Sequence, residues 1–227
     1  MIHLYLDNAR AHLQLSSLRC LFWEERKMLI CADIHNGKGA HFSQNGITLP
    51  ALVNKNNFWN LAIAFEKFRP EKFLVLGDMM HSTENYEWAE FEDFMDNYPE
   101  INRILVRGNH ELYGDHKYAD LGFEVFTDLT LGDILFTHEP LTDIPTSKTN
   151  ICGHIHPAIR ASGSAGQSLR LPCFWVKENQ IILPAFGTFT GMHSIKPRRG
   201  ERIFAIANEK VIELNGRDSQ SEHAYKS

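Results

Sequence analysis

Five short patches hold the residues of this chain that could do chemistry: Asp33-Ile34-His35, Gly77-Asp78, Gly108-Asn109-His110-Glu111, His138 and Gly153-His154-Ile155-His156. Leaving His110 and Glu111 aside, they offer two carboxylates, one amide oxygen and four imidazoles, donors that suit hard and borderline divalent cations. No patch contains a cysteine, which argues against a structural zinc knuckle. Two divalent ions set against only Asp33 and Asp78 would leave a surplus of positive charge, and such a surplus attracts phosphate.

That donor set implies a reaction. Two cations about 3.5–4 Å apart clamp the attacking and leaving oxygens of a phosphoryl transfer, and a water held between them ionises near neutral pH to become the nucleophile. A bridging carboxylate has to hold the cations together, and Asp78 is the natural candidate. Asp33 and His35 stand two apart at the end of an extended segment, so both side chains are expected on one face; His154 and His156 share that spacing. Asn109 adds a ligand oxygen without cancelling positive charge. His110, beside a ligand, is placed to donate a proton to the leaving oxygen, with Glu111 to orient it.

Each patch needs a rigid element to aim it. Each follows an apolar run that reads as a strand, at 28–32, 73–76, 104–106, 134–137 and 150–152, and glycine lets the backbone turn sharply where a strand ends. Further strand-like runs lie at 2–6 and 18–23, with the charged residues 24–27 as the loop of a hairpin. A helix is predicted over 50–68, with Thr48 near its start and Arg69-Pro70 at its end. A second is predicted over 84–97, with Trp88, Phe91, Phe94 and Met95 as its apolar stripe and an acidic, solvated opposite face. Residues 162–168 read as a flexible polar loop, 171–176 with 181–183 as a hairpin, and 203–207 with 211–214 as a last strand pair. Alternating strands and helices early, then mostly strands, predict a four-layer α/β/β/α sandwich of two mixed sheets. One domain over 1–214 is expected, followed by a polar, frayed tail over 215–227.

With 43% hydrophobic and 22% charged residues, the composition is that of an ordinary globular protein. The net charge of −5 argues against indiscriminate coating of DNA, without bearing on a local site. Neither a secretory signal nor an apolar stretch of about 20 residues is seen, so a cytoplasmic location away from membranes, with reduced thiols, is expected. Cys20, Cys31, Cys152 and Cys173 form no C-x-x-C pair; Cys31 and Cys152, close to the ligand patches, read as buried strand thiols.

The series D-x-H, G-D, G-N-H-D/E, H, G-H-x-H, present in that order, resembles the motif series of the calcineurin-like metallophosphoesterase superfamily over residues 29–157. Five motifs in order are far more specific than any one of them. The resemblance implies that Asp33, His35, Asp78 and His156 hold one metal and that Asp78, Asn109, His138 and His154 hold the other. It implies that His110 is the catalytic acid; Glu111 stands where Asp is commoner. Residues 33–42 and 77–82, with Leu171-Pro172-Cys173-Phe174-Trp175 and 183–191, are similar to the bacterial PdeM family, described as ligase-associated DNA-damage-response endonucleases. That likeness reaches Ala207 and implies a repair ligase, a helicase and a second nuclease as partners. Superfamily habit implies manganese, with iron or zinc as alternatives. Asn36 departs from the apolar residue expected after D-x-H.

Other residues have two readings each. His81, three residues after Asp78, resembles a substrate-contacting histidine of superfamily nucleases; otherwise it is bonded within its own loop. Arg107 offers a guanidinium fork to phosphate oxygens or forms a salt bridge. Lys38 and His41, in the first ligand loop, are solvated or touch phosphate. Lys196, Arg198, Arg199 and Arg202 form a basic cluster, read as a solvated loop before a nucleic-acid guide. Phe174, Trp175, Phe186 and Phe189 are expected in the core before any stacking on bases.

The expected function is therefore a dinuclear-metal phosphoesterase hydrolysing phosphodiesters, foremost a DNA-repair endonuclease or phosphodiesterase. Two alternatives stand beside it. One is a small-molecule or nucleotide phosphodiesterase or phosphatase with the same site. The other is a non-catalytic metal-binding scaffold in a repair complex, which a complete ligand set disfavours.

Overall fold

Strand β4 (Met28–Ala32) is buried along its whole length in the computed structural model, which describes residues 1–36, 52–80, 86–109, 114–162, 168–188 and 190–214. Met28, Ile30 and Ala32 face one apolar cluster, and Leu29 and Cys31 face another. A strand that is apolar on both faces has to be covered on both. Helices cover one side and a second sheet the other.

The first sheet runs β1 (Ile2–Leu6), β2 (Ala11–Leu15), β3 (Leu21–Trp23), β4, β5 (Lys72–Leu76), β6 (Asn102–Val106) and β7 (Phe123–Phe126) in chain order. β1 to β4 pair antiparallel and β4 to β7 parallel. Parallel neighbours need crossovers, supplied by α1 (Leu52–Phe68), α2 (Tyr86–Met95) and α3 (Asp115–Asp120). Leu61 and Phe65 of α1, Trp88, Phe91 and Met95 of α2, and Tyr118 of α3 pack on Leu29, Phe73, Val75 and Leu105. Arg69, left-handed at φ +44°, returns its N–H to the Phe65 carbonyl and closes α1 before Pro70.

The second sheet runs β14 (His193–Ser194), β11 (Pro157–Ser162), β12 (Ser168–Val176), β13 (Gln180–Ile182), β10 (Thr149–Cys152), β9 (Ile134–Phe136) and β8 (Leu129–Leu131). β15 (Arg202–Ala207) pairs with β12 and carries β16 (Lys210–Leu214). Phe136, Ile151, Phe174, Ile181 and Phe204 meet Leu13, Leu21, Ile30 and Leu74 between the sheets. Each such fully buried side chain contributes about 1.5–3 kcal/mol. The architecture is an α/β sandwich of two mixed sheets, with the described helices against the first. None of the described helices is long and apolar enough to cross a membrane.

Differences from the sequence expectation are local. The strand predicted over 18–23 begins only at Leu21, because Ser16 N–H to Cys20 O and Arg19 N–H to Ser16 O close a turn first. α2 stops at Met95, where the Tyr98 N–H turns back to the Met95 carbonyl; residues 84–85 lie outside the described part, as do Thr48 and Pro50. The polar loop over 162–168 yields its ends to the β11–β12 ladder, where Ser162 pairs with Ser168. Residues 215–227 lie outside the described residues.

Candidate metal centre

β4, β5 and β6 of the first sheet and β9 and β10 of the second end next to one another, and the side chains just past those ends converge. Pairing continues beyond the strands: Asp33 N–H donates to Gly77 O (3.1 Å), His35 N–H to Asp78 O (2.9 Å) and Gly153 N–H to His138 O (2.9 Å). Phe186 and Gly187 then donate to the carbonyls of Ala32 and Asp33 (2.8 and 3.1 Å). These two bonds tie the segment after β13 to the end of β4, so the sheets meet at the ligand loops.

Extended geometry does not create the shared face of Asp33 and His35, and that expectation is corrected. Asp33, His35, Asp78, His154 and His156 are all left-handed, at φ +54°, +47°, +51°, +67° and +51°. A turn past the strand end, and not strand alternation, aims both members of each pair. Asp and His enter this region more readily than most residues. Each still costs about 1–2 kcal/mol against a right-handed conformation, and such strain concentrates at functional sites.

Nδ1 of His138 lies 3.0 Å from the Leu76 carbonyl. A carbonyl only accepts, so Nδ1 carries the proton and Nε2 presents its lone pair. That Nε2 is 3.0 Å from Asn109 Oδ1, 3.1 Å from His154 Nδ1 and 3.5 Å from Asp78 Oδ1. His156 likewise bonds Gly191 O through Nδ1 (2.9 Å), which turns Nε2 to Asp33 Oδ1 at 3.2 Å. His35 Nε2 lies 3.6 Å from Asp78 Oδ2. Asp33 Oδ2 accepts the His154 N–H (2.9 Å), whereas the buried Oδ1 has no hydrogen bond among the described residues.

Asp33, Asp78, His35 and His138 are all buried. Donor atoms of Asp33, His35 and His156 lie within 4.8 Å of one another, as do those of Asp33, Asp78 and His138. Asp33 approaches His138 on the Nδ1 side, at 3.9 Å, so it is Asp78 that faces the lone pair. Oxygen and nitrogen donor atoms turned on each other, with a buried carboxylate oxygen left over, fit a divalent cation.

A sequence profile described as calcineurin-like phosphoesterase matches residues 26–175. The chain belongs to the calcineurin-like phosphoesterase family. It is a metal-dependent phosphoesterase, a hydrolase of phosphate ester bonds. Among solved structures it is similar to the nuclease MPE of Pseudomonas putida, with 26% identity, 94% of this chain and 100% of that one covered, and a TM-score of 0.76. The phosphoesterase Yfce from E. coli is a looser likeness, with 12% identity, 82% and 97% coverage and a TM-score of 0.44. No curated protein sequence matches the chain.

Beside the centre of this phosphoesterase opens a cleft of about 710 Å³, lined by Arg107, Asn109, Asp128, His138, Glu139 and Leu141 among others. Arg107 is engaged there with Asp115, Nη1 to Oδ1 at 2.9 Å. A smaller cavity of about 390 Å³ at Glu66, Arg69 and Tyr98 lies at the far end of α1 and holds no ligand residue. His81, His110, Glu111, Lys38, His41 and Phe189 lie outside the described residues. Phe174 and Phe186 are core residues; Trp175 is half-buried, with its Nε1 donating to Glu201. In the basic cluster Arg202 pairs with Glu213 at 2.7 Å. All four cysteines are buried and free.

Two supporting residues escaped the sequence reading. Asn57, buried on α1, donates Nδ2 to the Ile34 carbonyl (3.3 Å) and accepts the Thr188 N–H (3.2 Å), locking the first ligand loop to the segment after β13. Arg19 holds the Gly187 carbonyl at 3.1 Å, and its burial pushes the guanidinium below its ordinary range. Asn57 ends the polar run Asn54-Lys55-Asn56-Asn57 and so left no distinguishing signal in the sequence, and Arg19 left none either.

Proposed function

We propose that this phosphoesterase is a two-metal phosphodiesterase acting on DNA, an endonuclease of repair. Asp33, His35, Asp78 and His156 would hold one divalent cation, and Asp78, Asn109, His138 and His154 the other. Bound, such a pair supplies Lewis acidity at the phosphoryl oxygens and ionises solvent near neutral pH. The observation that carries the reading is Asp78, whose two oxygens face different histidines, His35 at 3.6 Å and His138 at 3.5 Å.

The protein's own groups do the rest. The Leu76 and Gly191 carbonyls keep His138 and His156 in the tautomer that offers Nε2 inward. Asp33 Oδ2 holds the His154 backbone, so one carboxylate serves a ligand position and its neighbouring loop. His110, next in sequence to Asn109, gives a proton to the leaving oxygen, while His81 and Arg107 contact the substrate. Manganese is the proposed metal, as superfamily habit implies; the mixed nitrogen and oxygen donors admit iron or zinc as well. Action on nucleic acid is supported by the likeness to the Pseudomonas putida nuclease along 94% of the chain. A repair ligase, a helicase and a second nuclease as partners follow from the PdeM-family likeness; a cytoplasmic site of action is proposed on cysteine usage, and one catalytic unit over 1–214 on chain length.

The test pairs two kinds of substrate. Purified protein with manganese is given supercoiled plasmid and single-stranded circular DNA and, separately, bis(p-nitrophenyl) phosphate. Nicking and diester hydrolysis, both abolished by EDTA, are expected. Hydrolysis of the small diester with no nicking would reassign the enzyme to small-molecule or nucleotide phosphodiesters.

A further inference from the structure

Charge is unevenly distributed along this acidic chain. Residues 153–200 carry Arg160, Arg170, Lys177, Lys196, Arg198 and Arg199 against one acid, Glu178; six cations less one acid make this stretch +5 in a chain of −5. The fold turns the stretch into a surface. β11 and β12 pair with Arg160 directly opposite Arg170, so both guanidinium groups leave the same face of the hairpin. Like charges directly opposed across strands are unfavourable. Yet both arginines are exposed, and no carboxylate among the described residues forms a side-chain ion pair with them or with the exposed Lys196, Arg198 and Arg199; Glu201 Oε2 accepts only the Arg198 backbone N–H, at 2.7 Å.

The surface adjoins the metal centre. β11 begins directly after His156, and β14 lies along its other edge, with His193 opposite Pro157. Arg170 reaches across β11 and donates Nη1 to the Met192 carbonyl at 3.1 Å. The next carbonyl along, Gly191 O, is the one that holds His156 Nδ1 at 2.9 Å. One of the five guanidinium N–H groups anchors the exposed Arg170 beside the candidate ligand loop, and a guanidinium has further N–H donors in a fork that matches phosphate. The cleft on the opposite, Asn109 and His138 side carries exposed Asp128 and Glu139. That cleft also holds Arg107, paired with Asp115 at 2.9 Å, so beyond Arg107 its exposed charges are acidic, whereas those of the β11–β12 surface are basic.

We infer that Arg160 and Arg170 form a phosphate rail that binds the backbone of a single DNA strand and leads it to the metal centre from the His156 side, with Lys196, Arg198 and Arg199 extending it. A single strand fits the asymmetry, because the second strand of a duplex would run against the acidic wall. The inference rests on the proposal that the substrate is DNA, and adds to it where and in what form the strand is held.

Binding is measured by fluorescence anisotropy of a labelled single-stranded oligodeoxythymidylate, with the full chain in EDTA so that nothing is cleaved, over a series of salt concentrations. Arg160→Glu with Arg170→Glu is expected to weaken binding on the order of tenfold or more, as for lost hydrogen bonds to charged groups. Removing two phosphate contacts should flatten the slope of log K against log salt by about 1.4, at about 0.7 per contact on a single strand. The corresponding pair of lysine substitutions should restore most of that slope. Lys67→Glu with Lys210→Glu imposes the same change of net charge on α1 and β16; an equal loss there would reduce the effect to bulk charge and overturn the rail. Thermal melting confirms that each variant is folded, with the alanine pair replacing the glutamate pair if the latter is not. Wild-type protein that nicks DNA, beside a double variant that binds as tightly, would overturn the rail and leave the nuclease reading standing. Wild-type protein that hydrolyses bis(p-nitrophenyl) phosphate but neither nicks nor binds DNA would overturn both. Tighter binding of duplex, or of oligouridylate, than of the single DNA strand would also overturn the rail as stated.

Discussion

Oδ1 of Asp78 lies 3.5 Å from Nε2 of His138, the ring nitrogen that the Leu76 carbonyl leaves with its lone pair. The other oxygen of the same carboxylate faces His35. Asp78→Ala is therefore expected to empty both metal positions together, whereas loss of His35 would weaken one. Elemental analysis should show that joint loss, and diester turnover should fall by about a thousandfold or more, since metal charge stabilisation is worth several kcal/mol and each 1.36 kcal/mol is tenfold. Retained metal in that variant would remove Asp78 from the bridging role.

Gly77, just before that carboxylate, is left-handed at φ +72°, and a Cβ there would lie 2.2 Å from His138 Nδ1 and 2.7 Å from the Cα of Gly108. Neither neighbour can yield without moving the imidazole off Leu76 or distorting the next ligand loop. Gly77→Ala should cost about 2 kcal/mol or more in metal-free stability. Urea unfolding in EDTA measures it. An unchanged midpoint would mean that the strand end relaxes freely.

His110 is assigned a proton transfer and not a ligand bond. His110→Ala should keep its full metal content while losing about 10²–10⁴-fold in turnover on DNA. The loss should be much smaller on bis(p-nitrophenyl) phosphate, whose leaving group departs without a proton. Equal losses on both substrates would point to a role other than general acid.

The Arg107–Asp115 pair, at 2.9 Å, joins two partly exposed side chains, and such pairs are worth about 0–1 kcal/mol. Asp115→Ala should leave stability within about 0.5 kcal/mol of the parent and change the KM for DNA, since it removes one partner of the guanidinium that lines the cleft. Arg107→Ala should raise KM several-fold. If neither variant moves KM, Arg107 serves its ion pair alone.

Burial pushes the Cys173 thiol from its ordinary 9.0 up to about 12, and Cys31 and Cys152 also upward. Below its ordinary value the thiol is protonated in both states and stability is unaffected. As pH rises from about 9 towards 12 the unfolded chain releases the proton and the folded chain does not, so stability falls through that window. The urea midpoint should be level from about pH 7 to 8, decline above, and decline less steeply in Cys173→Ala. A decline of the same slope in that variant would assign it to other groups.

Donor chemistry was legible in the chain itself. Whether an atom can bind a cation belongs to the side chain, and the order of Asp33, His35, Asp78, Asn109, His138, His154 and His156 stands in the sequence. So was the strand over 28–32, because five successive apolar residues need cover on both faces. Short elements such as β8 and β14 were not legible, since three or two residues carry too little periodicity to announce a strand.

Direction was decided only by the assembled structure. The left-handed torsions that put Asp33 and His35 on one face depend on the Gly77 and Asp78 carbonyls they bond. The inward nitrogens of His138 and His156 depend on the carbonyls of Leu76 and Gly191, 62 and 35 residues away. Asn57 and Arg19 act on Thr188 and Gly187, 131 and 168 residues distant, and Arg160 meets Arg170 only through the β11–β12 register. Donor type is a local property written residue by residue; the aim of a lone pair is set by backbone torsion and distant hydrogen bonds, which exist only once the two sheets have met.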